Sequence, residues 1–398
     1  MAVQCGRPLL LRQPFAPNAF DQVILGCVNV IADEMNPARV AALRLGMGDA
    51  MTAFTVQINC GSGMQSIDTG YRYIQDGTAD LVLAGGAESL SHSPLVFSRS
   101  AVDWYARLNG ARDIWSKILA ALQIRPSLFK PIIGLERGLT DPIVELNMGQ
   151  TAELVAHLFH ITREQADAYA AESQNRLARA QAEGWLKDEI VPAFARDGTL
   201  YDHDDGVRPD SSVESLGKLK PAFERPWGKV TPGNSSQITD GASWVILASE
   251  DAVKKHNLQP KAVIVDSEWS ALDPSIMGLG PVLCSTALMK RHQLALGDIE
   301  LWELNEAFAA QVLGCLAAWE DPEFCQKTLG LDHTAGSIPR DRINVDGGAI
   351  GAGHPVGASG NRIVLHLVNA MTRLGLTRGI ATECIGGGQG GAMLIEMV

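Results

Sequence analysis

Three side chains able to do sulfur and proton chemistry stand beside glycine-rich turns: Cys60 in NCGSG, His354 in GAGHPVG and Cys384 in CIGGG. A cysteine that ends a β-type run and opens a helix lies where unpaired backbone N–H groups and the helix dipole favour a thiolate, the form that attacks carbonyls. Gly61 and Gly63 leave room for a substrate carbonyl to approach the backbone. Cys384 precedes Gly386-Gly387-Gly388, a second backbone-rich turn, and Pro355 fixes the loop that carries His354. Taken singly, a cysteine is usually a buried structural residue and a loop histidine a solvated one. Three on matching turns argue for convergence, because open α/β sheets place their ligands at the C-terminal edges of strands.

The elements that must position them are legible around the same turns. TVQIN (Thr55 to Asn59) reads as a strand, and Met64, Ile67, Tyr71 and Ile74 recur at helical spacing after it. ADLVLA (Ala79 to Ala84) reads as a buried strand closed by Gly85-Gly86, completing a βαβ unit. A related order recurs near the C-terminus. There INVDGG (343–348) leads through GAGHPVGASG to a helix bearing Ile363, Leu367, Val368, Met371 and Leu374, followed by GIATECIGGG and a terminal strand from Ala392 to Met397. Earlier in each half lies a further strand, QVILGCVN after Asp21 and IELWELNEAF after Asp298. The fold class is therefore α/β, two similar halves packed together, with an inserted loop domain.

The expected boundaries are residues 1–95 and 226–251 for the N-terminal half, 96–225 for the insertion and 252–398 for the C-terminal half. Within the insertion, Thr162 to Glu183 is a long polar-faced helix, with Thr162 and Gln165 forming a capping box and Gly184 as the stop. Val191 to Ser212 carries turn residues and little periodicity, so it reads as loop. Thr239 to Ser249 returns to strand character and rejoins the first half's sheet.

Composition bounds the chemistry. A chain of 398 residues with 46 % hydrophobic and 20 % charged residues has the make-up of a globular protein of two or three domains. Its net charge of −12 does not suit a general nucleic-acid binder. Seven scattered cysteines with no CxxC pair argue against a disulfide framework and against zinc, and favour a reducing, cytoplasmic setting. Arg7 and Arg12 interrupt the short apolar run at the N-terminus, and no stretch reaches the roughly 18 apolar residues of a membrane span. No metal site and no Walker or Rossmann phosphate loop is present, so the glycines do not mark nucleotide hydrolysis or NAD.

VQINCGSGMQSI, ELNEAFAAQ, GGAIGAGHPVGASG and CIGGGQGGA, in that order and spacing, resemble the thiolases, the acetyl-CoA C-acyltransferases, and the resemblance runs from about Phe20 to the C-terminus. It implies that Cys60 is the nucleophile that takes an acyl group as a thioester and that His354 is the base that activates it. It further implies that Cys384 moves the proton at the α-carbon. His354 and a water held by Asn305 would stabilise the enolate oxygen, and the backbone N–H groups of Cys60 and Gly386 would form a second oxyanion site. By the same resemblance Met148, Met277 and Phe308 line the acyl and pantetheine pocket, while Arg208 and Ser236 meet coenzyme A. Coenzyme A would be a substrate rather than a resident cofactor, and the assembly a homodimer or homotetramer.

The chain departs from the family pattern in three places. It begins inside the family's first helix, which predicts that a central strand of the first sheet is missing. Asn147 stands where acetoacetyl-specific biosynthetic members carry His, so narrow acetoacetyl specificity is not implied. The segment Leu95 to Pro142 is longer and more apolar than in compact biosynthetic members, as suits either a pocket opened to longer acyl chains or a surface packed on a partner. Degradative cleavage of 3-ketoacyl-CoA is the first reading. Alternatives are a biosynthetic acetoacetyl-CoA thiolase, a β-ketoacyl synthase, which Cys384 opposes, and an inactive acyl-CoA-binding subunit, which the intact Cys60, His354, Asn305 and Cys384 oppose.

Overall fold

A computed structural model describes residues 1–195 and 197–398. Two four-stranded sheets organise it. The first contains β1 (Gln22–Gly26), β2 (Thr52–Val56), β3 (Leu81–Ser89) and β4 (Asp240–Ala248) in the order β2-β1-β3-β4. The first three strands are parallel, and β4 is antiparallel to β3. The second contains β5 (Ala262–Ala271), β6 (Leu301–Leu304), β7 (Arg378–Ile385) and β8 (Gln389–Met397) in the order β6-β7-β8-β5.

Strand for strand, β1, β3 and β4 correspond to β6, β7 and β8, with the same parallel-then-antiparallel pairing. The expectation of a missing central strand is therefore corrected. The first sheet is continuous through its middle, and the two sheets differ at their outer edges: β2 flanks β1 in the first, where the second has only the Trp302–Ile343 bridge, and β5 flanks β8 in the second. Beside β4, helix α1 (Ala2–Leu11) is tied on instead, by Trp244 Nε1 donating to the Ala2 carbonyl at 2.9 Å and Cys5 Sγ donating to the Ala242 carbonyl at 3.5 Å.

Two helices fill the space between the sheets, α2 (Ser62–Gln75) and α8 (Val356–Leu374). Met64 and Ile67 of α2 pack with Ile363, Leu367 and Met371 of α8, between Ala84 of the first sheet and Ala381 and Met393 of the second. Leu10, Ala38 and Ala41 cover the far face of the first sheet, and Leu288, Val312 and Trp319 that of the second. The result is five alternating helix and sheet layers.

The insertion leaves after β3. It contains a two-stranded ribbon (Leu95–Val96 with Ile132–Ile133) and the helices α3 (Arg99–Gly110), α4 (Ile114–Leu122), α5 (Met148–Leu158) and α6 (Arg163–Ala182). Helix α6 starts at the Thr162–Gln165 capping box and stops before Gly184, which adopts a φ of 73°. Among its described residues, the Val191 to Ser212 stretch is irregular apart from a short ribbon, Ala193–Phe194 with Leu200–Tyr201. Helix α7 (Ala309–Glu320) follows β6.

Three local expectations are corrected. Strand β2 ends at Val56 rather than Asn59, because Asn59 takes a positive φ of 47° and turns the chain. Strand β3 does not stop at Gly85-Gly86 but runs through them to Ser89. These glycines permit close approach, since a Cβ on Gly85 would lie 2.2 Å from the Trp244 ring and one on Gly86 2.2 Å from the Gly357 carbonyl oxygen. INVDGG forms a turn, with Ile343 making a single parallel bridge to Trp302.

Candidate active site

Cys60 sits in the turn 57–61, between β2 and α2. The Ser62 hydroxyl shapes this turn, donating to the Asn59 carbonyl at 2.7 Å and accepting from the Ile58 N–H at 2.9 Å. Asn59 Nδ2 donates to the Gly386 carbonyl at 2.8 Å, which joins the turn to the GGG segment after β7, 327 residues away. The Gly386 backbone N–H also reaches the Cys60 sulfur. Burial pushes the Cys60 thiol up to about 12, although that N–H favours the thiolate; Glu383 and Glu88 add to the rise.

Cys384 lies wholly buried near the end of β7, packed with Met277 and Ala307 and against the half-buried Met148 and Phe308. Three of these, Met148, Met277 and Phe308, are the residues expected along an acyl pocket. Burial pushes the Cys384 thiol well above its ordinary value, with Cys60 and Cys315 close enough to raise it further. A Cβ on Gly386 would stand 3.5 Å from Met148 Sδ, so the turn, the sulfurs and the methionines share one neighbourhood.

His354 follows Gly353, whose φ of 91° turns the chain just before the start of α8. Its Nδ1 is 2.6 Å from Ser359 Oγ, and that hydroxyl donates to the Pro355 carbonyl at 3.2 Å. The serine oxygen therefore accepts from Nδ1–H, which assigns the lone pair to Nε2. Nε2 is buried and makes no protein hydrogen bond. Burial pushes the imidazole down to about 4, helped by Arg362, so it is neutral at ordinary pH and able to accept a proton. The start of α8 abuts the start of α2, since a Cβ on Gly63 would fall 2.6 Å from the Asn361 nitrogen and 3.1 Å from the Gly357 carbonyl oxygen.

Asn305 ends β6's run, its N–H donating to the Thr382 carbonyl at 2.9 Å beside Cys384. Its side-chain amide is buried, and neither Oδ1 nor Nδ2 bonds to protein. A buried amide without protein partners costs about 1–3 kcal/mol, which a helix cap or turn residue would not incur.

Ser236 donates its N–H to the Ala307 carbonyl at 3.0 Å, at the rim of the Cys384 cluster. Arg208 is exposed; its N–H donates at 2.8 Å to Gln174, whose amide in turn donates to the Ile350 carbonyl at 3.0 Å, just before His354. A separate groove of about 790 Å³ beside α6, lined by Asn175, Arg176 and Ser211 among others, contains none of the expected site residues.

Two positioning groups escape the motif reading. Ser359 lies five residues after His354 in GHPVGASG, and the Ser–His spacing was its only signal. Glu306 accepts from Tyr169 Oη (2.8 Å), Ser173 Oγ (2.6 Å), Asn344 Nδ2 (3.0 Å) and the Ile350 N–H (3.2 Å). It ties the Asn305 segment to α6 and to the loop before His354; four partners from remote segments give no local signal.

Residues 1–251 match the family described as "Thiolase, N-terminal domain", and residues 258–397 the family "Thiolase, C-terminal domain". The chain is 36 % identical over 394 residues to a probable acetyl-CoA acyltransferase of Staphylococcus epidermidis, covering 98 % of this chain and 90 % of that protein. It is 38 % identical over 393 residues to an acetyl-CoA acetyltransferase of Allochromatium vinosum, with the same coverages. Among solved structures, the Bacillus anthracis acetyl-CoA acetyltransferase superposes with a TM-score of 0.84 at 35 % identity, over 100 % of this chain and 93 % of that one. Human mitochondrial 3-ketoacyl-CoA thiolase in complex with CoA superposes with a TM-score of 0.84 at 37 % identity, over 100 % of this chain and 91 % of that one.

Proposed function

The chain belongs to the thiolase family and is an acyltransferase acting on acyl-CoA, and from that premise we propose that it cleaves 3-ketoacyl-CoA with coenzyme A through an acyl-enzyme on Cys60. The observation that carries this reading is the Gly386 turn, which bonds Asn59, reaches the Cys60 sulfur and follows directly on Cys384. Supporting it, Cys384 shares a cluster with Met148, Met277 and Phe308.

In this reading His354 Nε2 takes the Cys60 proton as the sulfur bonds to the keto carbon. The C2–C3 bond breaks, and its electron pair becomes the enolate of acetyl-CoA, which takes the Cys384 proton at C2. Coenzyme A enters as substrate; its thiol returns a proton to Cys384, its sulfur displaces Cys60 from the acyl carbon, and the proton on His354 goes back to Cys60. Each half-reaction leaves the proton count unchanged. The backbone N–H groups of Cys60 and Gly386 suit one oxyanion, and His354 with Asn305 the other. In this reading Arg208 and Ser236 would meet coenzyme A. The Asn147 side chain accepts from the Gly149 N–H at 2.9 Å and caps α5, a structural duty compatible with a pocket that is not narrowly acetoacetyl-specific.

The test is thiolysis of acetoacetyl-CoA and longer 3-ketoacyl-CoA esters, followed by loss of the magnesium-complexed 3-keto thioester absorbance. Cys60→Ala is expected to abolish acylation. Cys384→Ala should still acylate from a simple acyl-CoA but fail to exchange the α-proton. Equal loss of both steps in both variants would defeat the division of labour, and inactivity with every chain length would defeat the catalytic reading.

A further inference from the structure

Helix α4 packs by its small side. Ala120 is its buried residue, and the Trp104 Nε1 of α3 donates to the Ala120 carbonyl at 2.8 Å. At 100° per residue Ile114, Trp115, Ile118, Leu119 and Leu122 fall within an arc of about 140° on the other side. All five are exposed, Trp115 by 73 % and Leu122 by 75 %. The neighbouring ribbon adds Leu95, Val96, Ile132 and Ile133, likewise exposed. It connects to α3 through a tilted contact of Phe97 with Tyr105 (6.2 Å) and an edge contact of Trp104 with Phe129 (6.0 Å). An ordinary surface helix turns this stripe inward; here it faces out over most of its length.

The charge around the stripe is opposite to that of the protein. In a chain of net charge −12, residues 112–130 carry four exposed cations, Arg112, Lys117, Arg125 and Lys130, against the single carboxylate of Asp113. Asp113 is engaged at the helix start, accepting from the Ser116 N–H at 2.9 Å and from its hydroxyl at 2.6 Å. An outward apolar face with a tryptophan, flanked by lysine and arginine, is the composition of a helix that lies in a lipid interface.

We propose that the α3–α4 insertion docks this protein on an anionic phospholipid surface, with α4 lying in the plane of the interface and no segment crossing it. No helix among the described residues is long and apolar enough to span a membrane. A second copy of the chain is the poorer occupant, because a two-fold contact through this patch would bring the same cations face to face around an apolar seam, where charge repulsion is poorly screened. An anionic bilayer offers each of them a counter-charge and takes the five apolar side chains together.

The test is co-sedimentation of the full chain with phosphatidylcholine vesicles, with and without roughly one third phosphatidylglycerol. Binding is expected to be at least about tenfold tighter to the anionic vesicles and to weaken as salt is raised. Trp115→Ser with Leu119→Ser should remove binding while the circular dichroism spectrum and acyl transfer in solution stay unchanged. Lys117→Glu with Arg125→Glu should abolish the preference for anionic lipid. Failure to sediment with either vesicle would overturn the proposal. So would a fall in solution mass, by light scattering, on introducing the Trp115 and Leu119 substitutions, since the patch would then be a contact between copies.

Discussion

Ser359 decides which nitrogen of His354 holds the proton, because its own hydroxyl is already committed to the Pro355 carbonyl. Ser359→Ala frees the ring to take either tautomer. It is expected to lower kcat by about ten- to a hundredfold with little change in KM, less than the roughly 10²–10⁴ that follows outright loss of a general base. Serine restored at this position in the same background should bring kcat back. The sulfurs make a related prediction. With Cys60 up at about 12 and His354 down at about 4, both are neutral in the resting site. Inactivation by iodoacetamide should therefore climb about tenfold per pH unit between pH 7 and 9, the slope of a thiol titrating above that window. A plateau already reached at pH 7 would instead reveal a preformed thiolate–imidazolium pair. The glycine-rich turns that carry Cys60, His354 and Cys384 were legible because their signals are local. Ser359 and Glu306 were not, since each works through hydrogen bonds whose partners sequence spacing does not identify.

At the scale of elements, the N-terminal turns of α2 and α8 meet through backbone as well as through side chains. A Cβ on Gly63 would fall 2.6 Å from the Asn361 nitrogen, and one on Gly360 2.6 Å from the Met64 nitrogen, so each glycine of the pair admits the other helix. Gly63→Ala meets backbone alone, and Gly360→Ala meets the Met64 backbone as well as the Glu383 carboxylate, so either must separate the helices. Each is expected to cost about 1–3 kcal/mol, seen as a lowered Tm, with acyl transfer falling as the Cys60 and His354 turns move apart. Gly77→Ala is the contrasting case. Gly77 has no neighbour within 4 Å, so its penalty comes only from its φ of 68°, and the site should be undisturbed. These glycines also explain where the sequence misled. Gly85 and Gly86 looked like strand terminators, but a glycine that ends a strand and one that lets another backbone in have the same local signature. Helix α6, by contrast, was legible to its caps because the Thr162–Gln165 box and Gly184 act entirely within their own turns.

Across the whole molecule, His366 joins three regions. Its Nδ1 is 2.8 Å from Glu189 of the insertion, and its Nε2 lies 3.5 Å from Asp346 and 3.8 Å from Glu303 of β6. Burial alone would lower its pKa, but Glu189 and Glu303 outweigh that and lift it to about 9. Burial works to raise Glu189, yet His366 and Asn369 hold it below its ordinary 4.5. The imidazolium's contribution is complete below 6.5 and is lost as pH rises through about 9; the carboxylate's is complete above 4.5 and is lost as pH falls below it. Stability from this link should peak between those limits. His366→Gln removes the imidazolium from Glu189 and Glu303, while Asp346 keeps Arg373, and is expected to cost about 3–5 kcal/mol, read by denaturant unfolding at pH 6, with the loss shrinking at pH 10. The repeated α/β order of the halves was legible at this scale, because each half repeats its own strand–helix grammar. Which edge of a sheet a strand occupies was not, since order within a sheet is set by pairing between distant segments.

The bond from Asn59 to Gly386 also has a meaning in time. A ribosome adding about 5–20 residues per second needs roughly 15 to 65 s to cover the 327 positions between them. Through that interval the Cys60 thiol is made but has neither Cys384 nor the Gly386 turn beside it. The nascent chain thus depends on its surroundings to keep this sulfur reduced until the last strands emerge.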